Sequence, residues 1–472
     1  MFLDRLDRLA GERPGAAALV RGTEIVPYGG LMERVADTAR ALAHIGVGPG
    51  DVAGLTIGDE IEHLVVCLAL MRAGAAQITL GTQDPPGLRE RLAARVGVTC
   101  HVTAGGTVAR LARPRTVEAA ASGPDDRPAI VLPGSGTTGD VKLVSLSGAQ
   151  IATQASIAYA DYGADRILQL APVEFNNGKR LRLYCLWHGG ACVFRAGGEA
   201  SLQQLCRDQD VTWFDMSAYH ARDLVRASAA HGRLPEGTAV RIGGSRVSNG
   251  LRADFREWVT SRLFISYGAT EIGGMPGICM AAPEEQSPDA ERVGRPLAGM
   301  EVVIVDASGR PAGPDAVGEV RIRAPGMVTA YIGDPVATAR CFRDGWFQPG
   351  DLMSMAADGM LTFHGRSDDM IVLNSINIFP GEIERALEAH PAVREAAAYP
   401  VASGVHGQIP VAAVELRPEA TASERDLMAF ARERLGLRAP RKVTILAQLP
   451  RSGQGKVLKR VLPGAAERPA PA

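Results

Sequence analysis

Lysine is scarce in this chain. Lys142, Lys179, Lys442, Lys456 and Lys459 are the only ones, so arginine carries almost all of the positive charge. Aromatic residues make up 5% of the composition. The seven cysteines, at positions 67, 100, 185, 192, 206, 279 and 341, contain no CxxC pair. With scattered histidines and no HExxH, they give no sign of a metal centre or a disulfide framework. Buried free thiols in a cytoplasmic protein are the expectation. There is no excess of either charge: 51 basic and 52 acidic residues leave a net charge of −1. That offers no electrostatic case for nucleic acid or an anionic membrane. No apolar run could span a bilayer, since the longest, residues 64–71, stops at Arg72. The N-terminus also lacks the basic-then-apolar form of a signal peptide.

What the chain does have is a stretch rich in glycine and hydroxyls. After the apolar run Ala129-Ile130-Val131-Leu132 come Pro133, Gly134, Ser135, Gly136, Thr137, Thr138, Gly139, Asp140, Val141 and Lys142. Glycines allow close backbone approach, and hydroxyls, N–H groups and an ammonium together suit phosphate oxygens. Gly134-x-Gly136-x-x-Gly139 matches the dinucleotide fingerprint literally. That fingerprint must open a helix and have an acidic partner about 20 residues on. Here an alternating β-branched run, 141–146, follows instead and predicts a second strand. A Walker A loop would need lysine directly after the last glycine. The spacing therefore predicts strand, phosphate loop, strand, and then a helix over 148–159 capped by Ser147.

The rest of the chain, 472 residues in all, alternates helical and extended patterns. Helices are predicted over 28–45, 60–73 and 88–96, with strands at 51–57, 75–80 and 98–102. A polar connector covers 114–127. Strands at 166–170 and 191–194 and helices at 178–188 and 202–209 begin a second α/β unit that runs to Tyr267. From Arg292 to Phe363 short strands with many turns (301–305, 318–323, 361–364) predict a β subdomain. Gly365-Arg366-Ser367-Asp368-Asp369 reads as a polar hinge. Beyond it, segments at 371–373, 380–389, 393–397, 411–416, 424–435 and 442–446 predict a small α+β domain, with a disordered tail from Gly464.

Three further stretches carry candidate chemistry. Tyr267-Gly268-Ala269-Thr270-Glu271 follows a strand end and sets one carboxylate among small residues, as a Mg²⁺ ligand shared with phosphates would be. Gly350-Asp351 offers a carboxylate after a turn, suited to a ribose diol. Arg451-Ser452-Gly453-Gln454-Gly455-Lys456 is a glycine-rich loop with a lysine. Each has a bland alternative as a cap or a solvated turn.

Taken in order with Gly365-Arg366-x-Asp368-Asp369 and Asn377-Ile378-x-Pro380-x-Glu382-Ile383-Glu384, these motifs resemble the adenylate-forming superfamily. It includes acyl- and aryl-CoA ligases, adenylation domains of non-ribosomal peptide synthetases, and luciferases. The resemblance implies an α/β fold: an N-terminal core of α/β subdomains and a β subdomain over 1–366, and a mobile α+β lid over 367–472 hinged near Asp368. It implies activation of a carboxylic acid by ATP with Mg²⁺, then transfer to the thiol of CoA or of a phosphopantetheine carrier protein. Ser135, Gly136, Thr137, Thr138, Gly139 and Lys142 would embrace the β- and γ-phosphates, and Thr270 would contact phosphate. Glu271 would hold Mg²⁺. Gly244, Ser245 and Tyr267 would frame adenine, and Asp351 with Arg366 would hold the ribose. Lys456 would bridge the attacking carboxylate and the α-phosphate, a placement suited to neutralising charge in the transition state.

The chain also departs from the family pattern. Val141 and Leu143 stand where proline and glycine usually flank the loop lysine. Ser375 replaces a usual glycine along the thiol's approach, which keeps an amide synthetase with an amine acceptor as an alternative. A non-catalytic adenylate-binding protein is a third reading. Phe175, Asn176, Asn177, Ser217, Gly268, Ala269 and Gly273 are the expected walls of the acid pocket. Neutral amides at Asn176 and Asn177 offer no counter-charge to a substrate ammonium, so an aryl or modest acyl acid is expected. The chain ends soon after Lys456, so any carrier is expected to be a separate protein.

Overall fold

The computed structural model describes residues 2–111, 126–134, 141–158, 165–273, 277–287, 291–374, 376–403, 407–451 and 457–465. Positions 135–139, Ser375 and Lys456, and most of the 114–127 connector, lie outside these residues.

Two sheets sandwich the buried helices of the N-terminal region. In the first, Val52–Thr56, Ala76–Thr79, Cys100–Thr103 and Pro128–Pro133 lie parallel. Leu143–Ser147 returns antiparallel to Pro128–Pro133, giving the expected strand–loop–strand. Ser147 then starts the helix Gly148–Ile157 with a capping box: its hydroxyl accepts from Gln150 N, and Gln150 Oε1 accepts from Ser147 N. The helix Glu60–Ala73 is largely apolar and is buried at Ile61 and from His63 to Leu70. Such a helix belongs between layers, not at a surface. Asp59 caps its start and Gly74, at φ +73°, ends it.

The second sheet contains the parallel run Ala17–Arg21, Ala191–Phe194, Arg166–Gln169, Trp213–Met216, Ala239–Gly243 and Leu263–Tyr267. It does not stop there. Cys279–Ala281 and Arg292–Pro296 continue it antiparallel into the expected β subdomain, so the α/β unit and the β subdomain share one continuous sheet. Near its far edge, Asp344 and Gly345, both at positive φ, form the two-residue turn between Phe342–Arg343 and Trp346–Phe347.

A separate sheet of Ile371–Leu373, Ile376–Ile378, Val393–Ser403, Gly407–Leu416 and Lys442–Ile445 has its own apolar core, packed by Pro380–Glu388 and Glu424–Leu435. Two expectations change here. Gly365 and Arg366 are not hinge but the end of the strand Leu361–Arg366, held by pairing to Asp351–Met355. The turn is Ser367–Asp369 alone. The strands expected at 393–397 and 411–416 are much longer, because Pro400 and Pro410 face each other in the ladder. Proline ordinarily argues against a strand interior, so the pair hid the hairpin.

Candidate functional site

Parallel strands expose the ends of their chains on one side, and ligands gather at that edge. Here the edge opens a cavity of about 620 Å³, with Gly244, Ser245 and Tyr267 to Glu271 among its walls. Packing fixes the turn after Leu263–Tyr267. Gly277 sits at φ +116°, and a Cβ there would stand 2.3 Å from the Tyr267 carbonyl.

At one end of the cavity, Gly134 and Lys142, which bracket the glycine-hydroxyl segment, come together. Gly134 N donates to Lys142 O at 2.6 Å. A Cβ on Gly134 would lie 4.0 Å from Glu271 Oε1, so the mouth of the segment faces that carboxylate. Tyr331 completes the group. Its hydroxyl donates to Glu271 Oε1 at 2.7 Å, and the Lys142 ammonium stands 4.8 Å above its ring. Burial, and then the Glu271 charge, push the Tyr331 phenol up, which keeps it a donor. Among the described residues no cluster of three acidic, histidine or cysteine side chains could hold a metal by itself. One carboxylate and a neighbouring Thr270 hydroxyl form an all-oxygen set. That fits Mg²⁺, which prefers oxygen ligands and shares them with phosphates.

At the other end, the Tyr267 hydroxyl donates to Asp351 Oδ2, and Arg366 Nη1 lies 3.1 Å from Asp351 Oδ1. Arg366 is itself steadied by the Pro349 carbonyl at 3.0 Å. A carboxylate has about four lone-pair sites, so it can accept from several donors at once. Tyr267 thus orients Asp351.

The C-terminal unit closes the cavity. Asp368, Glu384, Arg451, Val457 and Lys459 all reach its wall. Arg451 and Val457, which bracket the segment carrying Lys456, pair as an isolated bridge. The contact between the two parts is ionic. Arg246, directly after Gly244 and Ser245, lies 2.6 Å from Glu291 and 2.8 Å from Glu388. Glu384 stands 3.4 Å from Arg246 and 2.6 Å from Lys459. Burial alone would raise Glu384, but Lys459 and Arg246 outweigh it and hold the carboxyl down. Arg222 pairs with Glu395 at 2.6 Å across the same boundary.

The expected acid-pocket residues divide. Asn176 heads the helix Asn176–His188 and donates to Thr270 Oγ1 at 3.0 Å, so these two walls meet. Gly268, Ala269 and Thr270 line the cavity. Gly273, at φ +132°, lies against Gln154. Phe175 is 41% exposed and Asn177 is also exposed. Ser217 bonds His220 Nδ1 at 3.1 Å, at the start of the helix Ala218–His231. The residue before it in sequence with a charge, Asp215, is buried in an ion pair with Arg241 and serves the sheet.

Sequence reasoning did not single out Tyr331, Arg246 or Arg180. Arg180 Nη1 donates to Thr270 O at 3.1 Å from a fully buried position. The one signal was Lys179-Arg180-Leu181-Arg182, three cations within a helix whose other residues are largely apolar.

Two family models match the chain, one described as AMP-binding enzyme over residues 6–332 and one as AMP-binding enzyme C-terminal domain over 382–456. The chain is 28% identical over 471 residues to a 2-succinylbenzoate–CoA ligase of Geobacillus kaustophilus, covering 95% of each. It is 27% identical over 523 residues to the fatty acid–[acyl-carrier-protein] ligase MmaC of Mycobacterium marinum, covering 99% of this chain and 98% of MmaC. Its fold matches that of the amide bond synthetase McbA of Marinactinospora thermotolerans with a TM-score of 0.81, at 24% identity and covering 99% and 100% of the two chains. With the family model spanning the parallel strands, the Thr270–Glu271 turn and Lys142, this chain belongs to the AMP-binding enzyme family, also called adenylate-forming.

Proposed function

We propose that this chain is an AMP-forming acid–thiol ligase. ATP and a carboxylic acid give an acyl-adenylate and pyrophosphate, and a thiol of CoA or of a carrier protein then takes the acyl group and releases AMP. The observation that carries the reading is convergence: Gly134 and Lys142, Thr270 and Glu271, and Asp351 and Arg366 meet at one cavity from segments far apart in sequence.

The spacing of charges supports one direction for the nucleotide. Asp351 and Arg366 take the ribose, beside Tyr267, Gly244 and Ser245. Lys142, with the segment 135–139, takes the β- and γ-phosphates. Glu271 and Thr270 would hold Mg²⁺, which would supply charge neutralisation for the departing pyrophosphate. Asn176 and Thr270 border the acid. Lys456 is assigned the reacting centre: its ammonium steadies the attacking carboxylate and the α-phosphate as negative charge builds between them. After the adenylate forms, the C-terminal unit turns about Asp368 and admits the thiol.

Pyrophosphate exchange against a panel of aryl, acyl and amino acids tests the first half-reaction. Exchange with at least one acid is expected. ATP binding without exchange on any acid overturns the reading. Addition of CoA, a pantetheine-bearing carrier or amines to the supported acid then identifies the acceptor, and amide product in place of thioester would make the chain an amide synthetase.

A further inference from the structure

The helix Asn176–His188 buries three cations within about one turn, Lys179, Arg180 and Arg182, each no more than 2% exposed. Arg182 has a carboxylate partner, Glu60, at 3.0 Å. Lys179 donates to Thr79 Oγ1 at 2.6 Å, and burial holds its ammonium below the ordinary lysine range. Arg180 differs from both. Nε donates to Tyr184 OH at 3.1 Å, and Nη1 reaches Thr270 O at 3.1 Å and Asn176 Oδ1 at 3.4 Å. Nη2 is buried with no hydrogen-bond partner. Among the described residues no carboxylate lies within ion-pair distance of this guanidinium. Its neighbours Tyr184 and Gln154 are neutral and already satisfied, since Tyr184 OH donates to Gln154 Oε1 at 2.7 Å and Gln154 Nε2 donates to Gly326 O at 2.8 Å.

A dry, uncompensated guanidinium is costly, and proteins keep such groups where something completes them. Of the two groups that Nη1 touches, Asn176 is an expected wall of the acid pocket, and the Thr270 carbonyl belongs to the residue that Asn176 itself contacts. Arg180 touches none of the side chains of Lys142, Glu271, Tyr331, Asp351 or Arg366, the charges read as the nucleotide's. Its contact with an expected substrate wall is through the Asn176 side chain. In a water-poor site a charge acts strongly on whatever binds beside it.

We propose that the acid activated by this enzyme carries a second carboxylate, remote from the one that is adenylated, and that Arg180 is its counter-ion. The inference rests on the acid-activating reading above. A guanidinium presents two N–H edges, and Nη2 supplies the unused donor for an oxygen of that carboxylate. The same charge disfavours a substrate ammonium, which agrees with the neutral amide at Asn176.

The test is pyrophosphate exchange with matched sets: hexanoate, hexanedioate and 6-aminohexanoate, and benzoate, 4-carboxybenzoate and 4-(aminomethyl)benzoate. For at least one set the diacid is expected to exceed the monoacid in kcat/KM by about tenfold or more, the effect of a hydrogen bond to a charged group, with the ammonium analogue last. Arg180→Gln is expected to cost the diacid far more than the monoacid, so that the ratio collapses. Arg180→Lys, which keeps the charge without the fork, should retain a smaller preference and covers the case in which the glutamine variant does not fold. A preferred monoacid, or a ratio that both substitutions leave standing, overturns the proposal. So does an equal loss on both acids, which would place Arg180 at the reacting carboxylate. If no acid supports exchange, the acid-activating reading falls by itself. Thermal melting with each diacid alone then decides: stabilisation of the wild type, absent in R180Q, upholds the anion site, and no stabilisation overturns it.

Discussion

Tyr331 holds one oxygen of Glu271, a residue that lines the cavity. Its hydroxyl is a donor at 2.7 Å to a charged acceptor, a bond worth roughly 1.5–3 kcal/mol. Tyr331→Phe keeps the ring beneath Lys142 and removes the hydroxyl, with its bond to Glu271 and its contact to Cys341. The expected outcome is a rise in the Mg²⁺ concentration that half-saturates pyrophosphate exchange, with a fall in kcat of about tenfold by the same energy. A Mg²⁺ titration of the two proteins checks it, and an unchanged titration would show that Glu271 needs no orienting partner. The residues that the sequence left unread share one property. Tyr331 meets its partner across 60 positions, Arg180 meets Thr270 across 90 and Arg246 meets Glu388 across 142. None belongs to a local pattern, so only folding brings its partner into view. Lys142, Glu271 and Asp351 were legible because each sits beside glycines whose spacing has a local purpose.

At the scale of elements, local chemistry and outcome agree most closely where the sequence holds its own boundary signals. Ser147 caps Gly148–Ile157 as expected, and the expected helix Glu60–Ala73 ends at Gly74 in the left-handed region. They diverge where tertiary pairing overrides the signal, as at Pro400 and Pro410. The start of Asn176–His188 is also set by packing: a Cβ on Gly178 would lie 2.1 Å from the Pro172 carbonyl. Gly178→Ala must push the segment before Asn176 aside, and is expected to raise the KM for the acid more than that for ATP in steady-state assays. The helix Pro380–Glu388 carries a pH response. Burial raises Glu388 most, Arg246 pulls it back, and Glu291 and Glu384 push it further, leaving it up at about 7 against an ordinary 4.5. The docked carboxyl therefore binds a proton that the freed one has already lost. Docking is favoured at acid pH and weakens as pH climbs from 4.5 to about 7. Glu388→Gln, neutral throughout, should flatten this dependence, read as energy transfer between labels on the two units.

Across the whole molecule, the two units meet through Arg246 and Arg222 facing Glu388, Glu384 and Glu395, and through Arg417 with Asp254 at 3.4 Å. An ionic contact suits parts that must separate, because water can take over each charge as they part. If the C-terminal unit works in two positions, the half-reactions must respond differently. Lys456→Ala is expected to abolish adenylation while largely sparing thioester formation from supplied acyl-adenylate, measured as separate single-turnover rates. Equal loss in both would count against domain alternation. The division of the chain into an α/β core and a smaller α+β unit was legible because strand and helix patterns change character along it. The continuity of the large sheet was not, since antiparallel joins such as Cys279–Ala281 are too short to leave a periodicity.

The scarcity of lysine and the burial of every cysteine bear on a hazard of this chemistry. An acyl-adenylate is an electrophile, and an enzyme that waits for its acceptor risks acylating itself. All seven thiols are buried. Burial pushes Cys206 and Cys279 up to about 12 and raises Cys67, Cys100 and Cys185 as well, so these sulfurs stay protonated and unreactive. Arginine, which replaces lysine over most of the surface, stays charged and is a poor nucleophile. Near the reaction the remaining candidates are Lys456, which the reading above sets at the reacting centre, Lys459, paired with Glu384, Lys142, its ammonium turned onto the Tyr331 ring, and Cys341, 3.9 Å from Lys142. Held with ATP and acid but no acceptor, the protein should keep its intact mass over many turnovers' worth of time. A composition that looks like mere arginine bias thus leaves the activated acid few nucleophiles except the one delivered from outside.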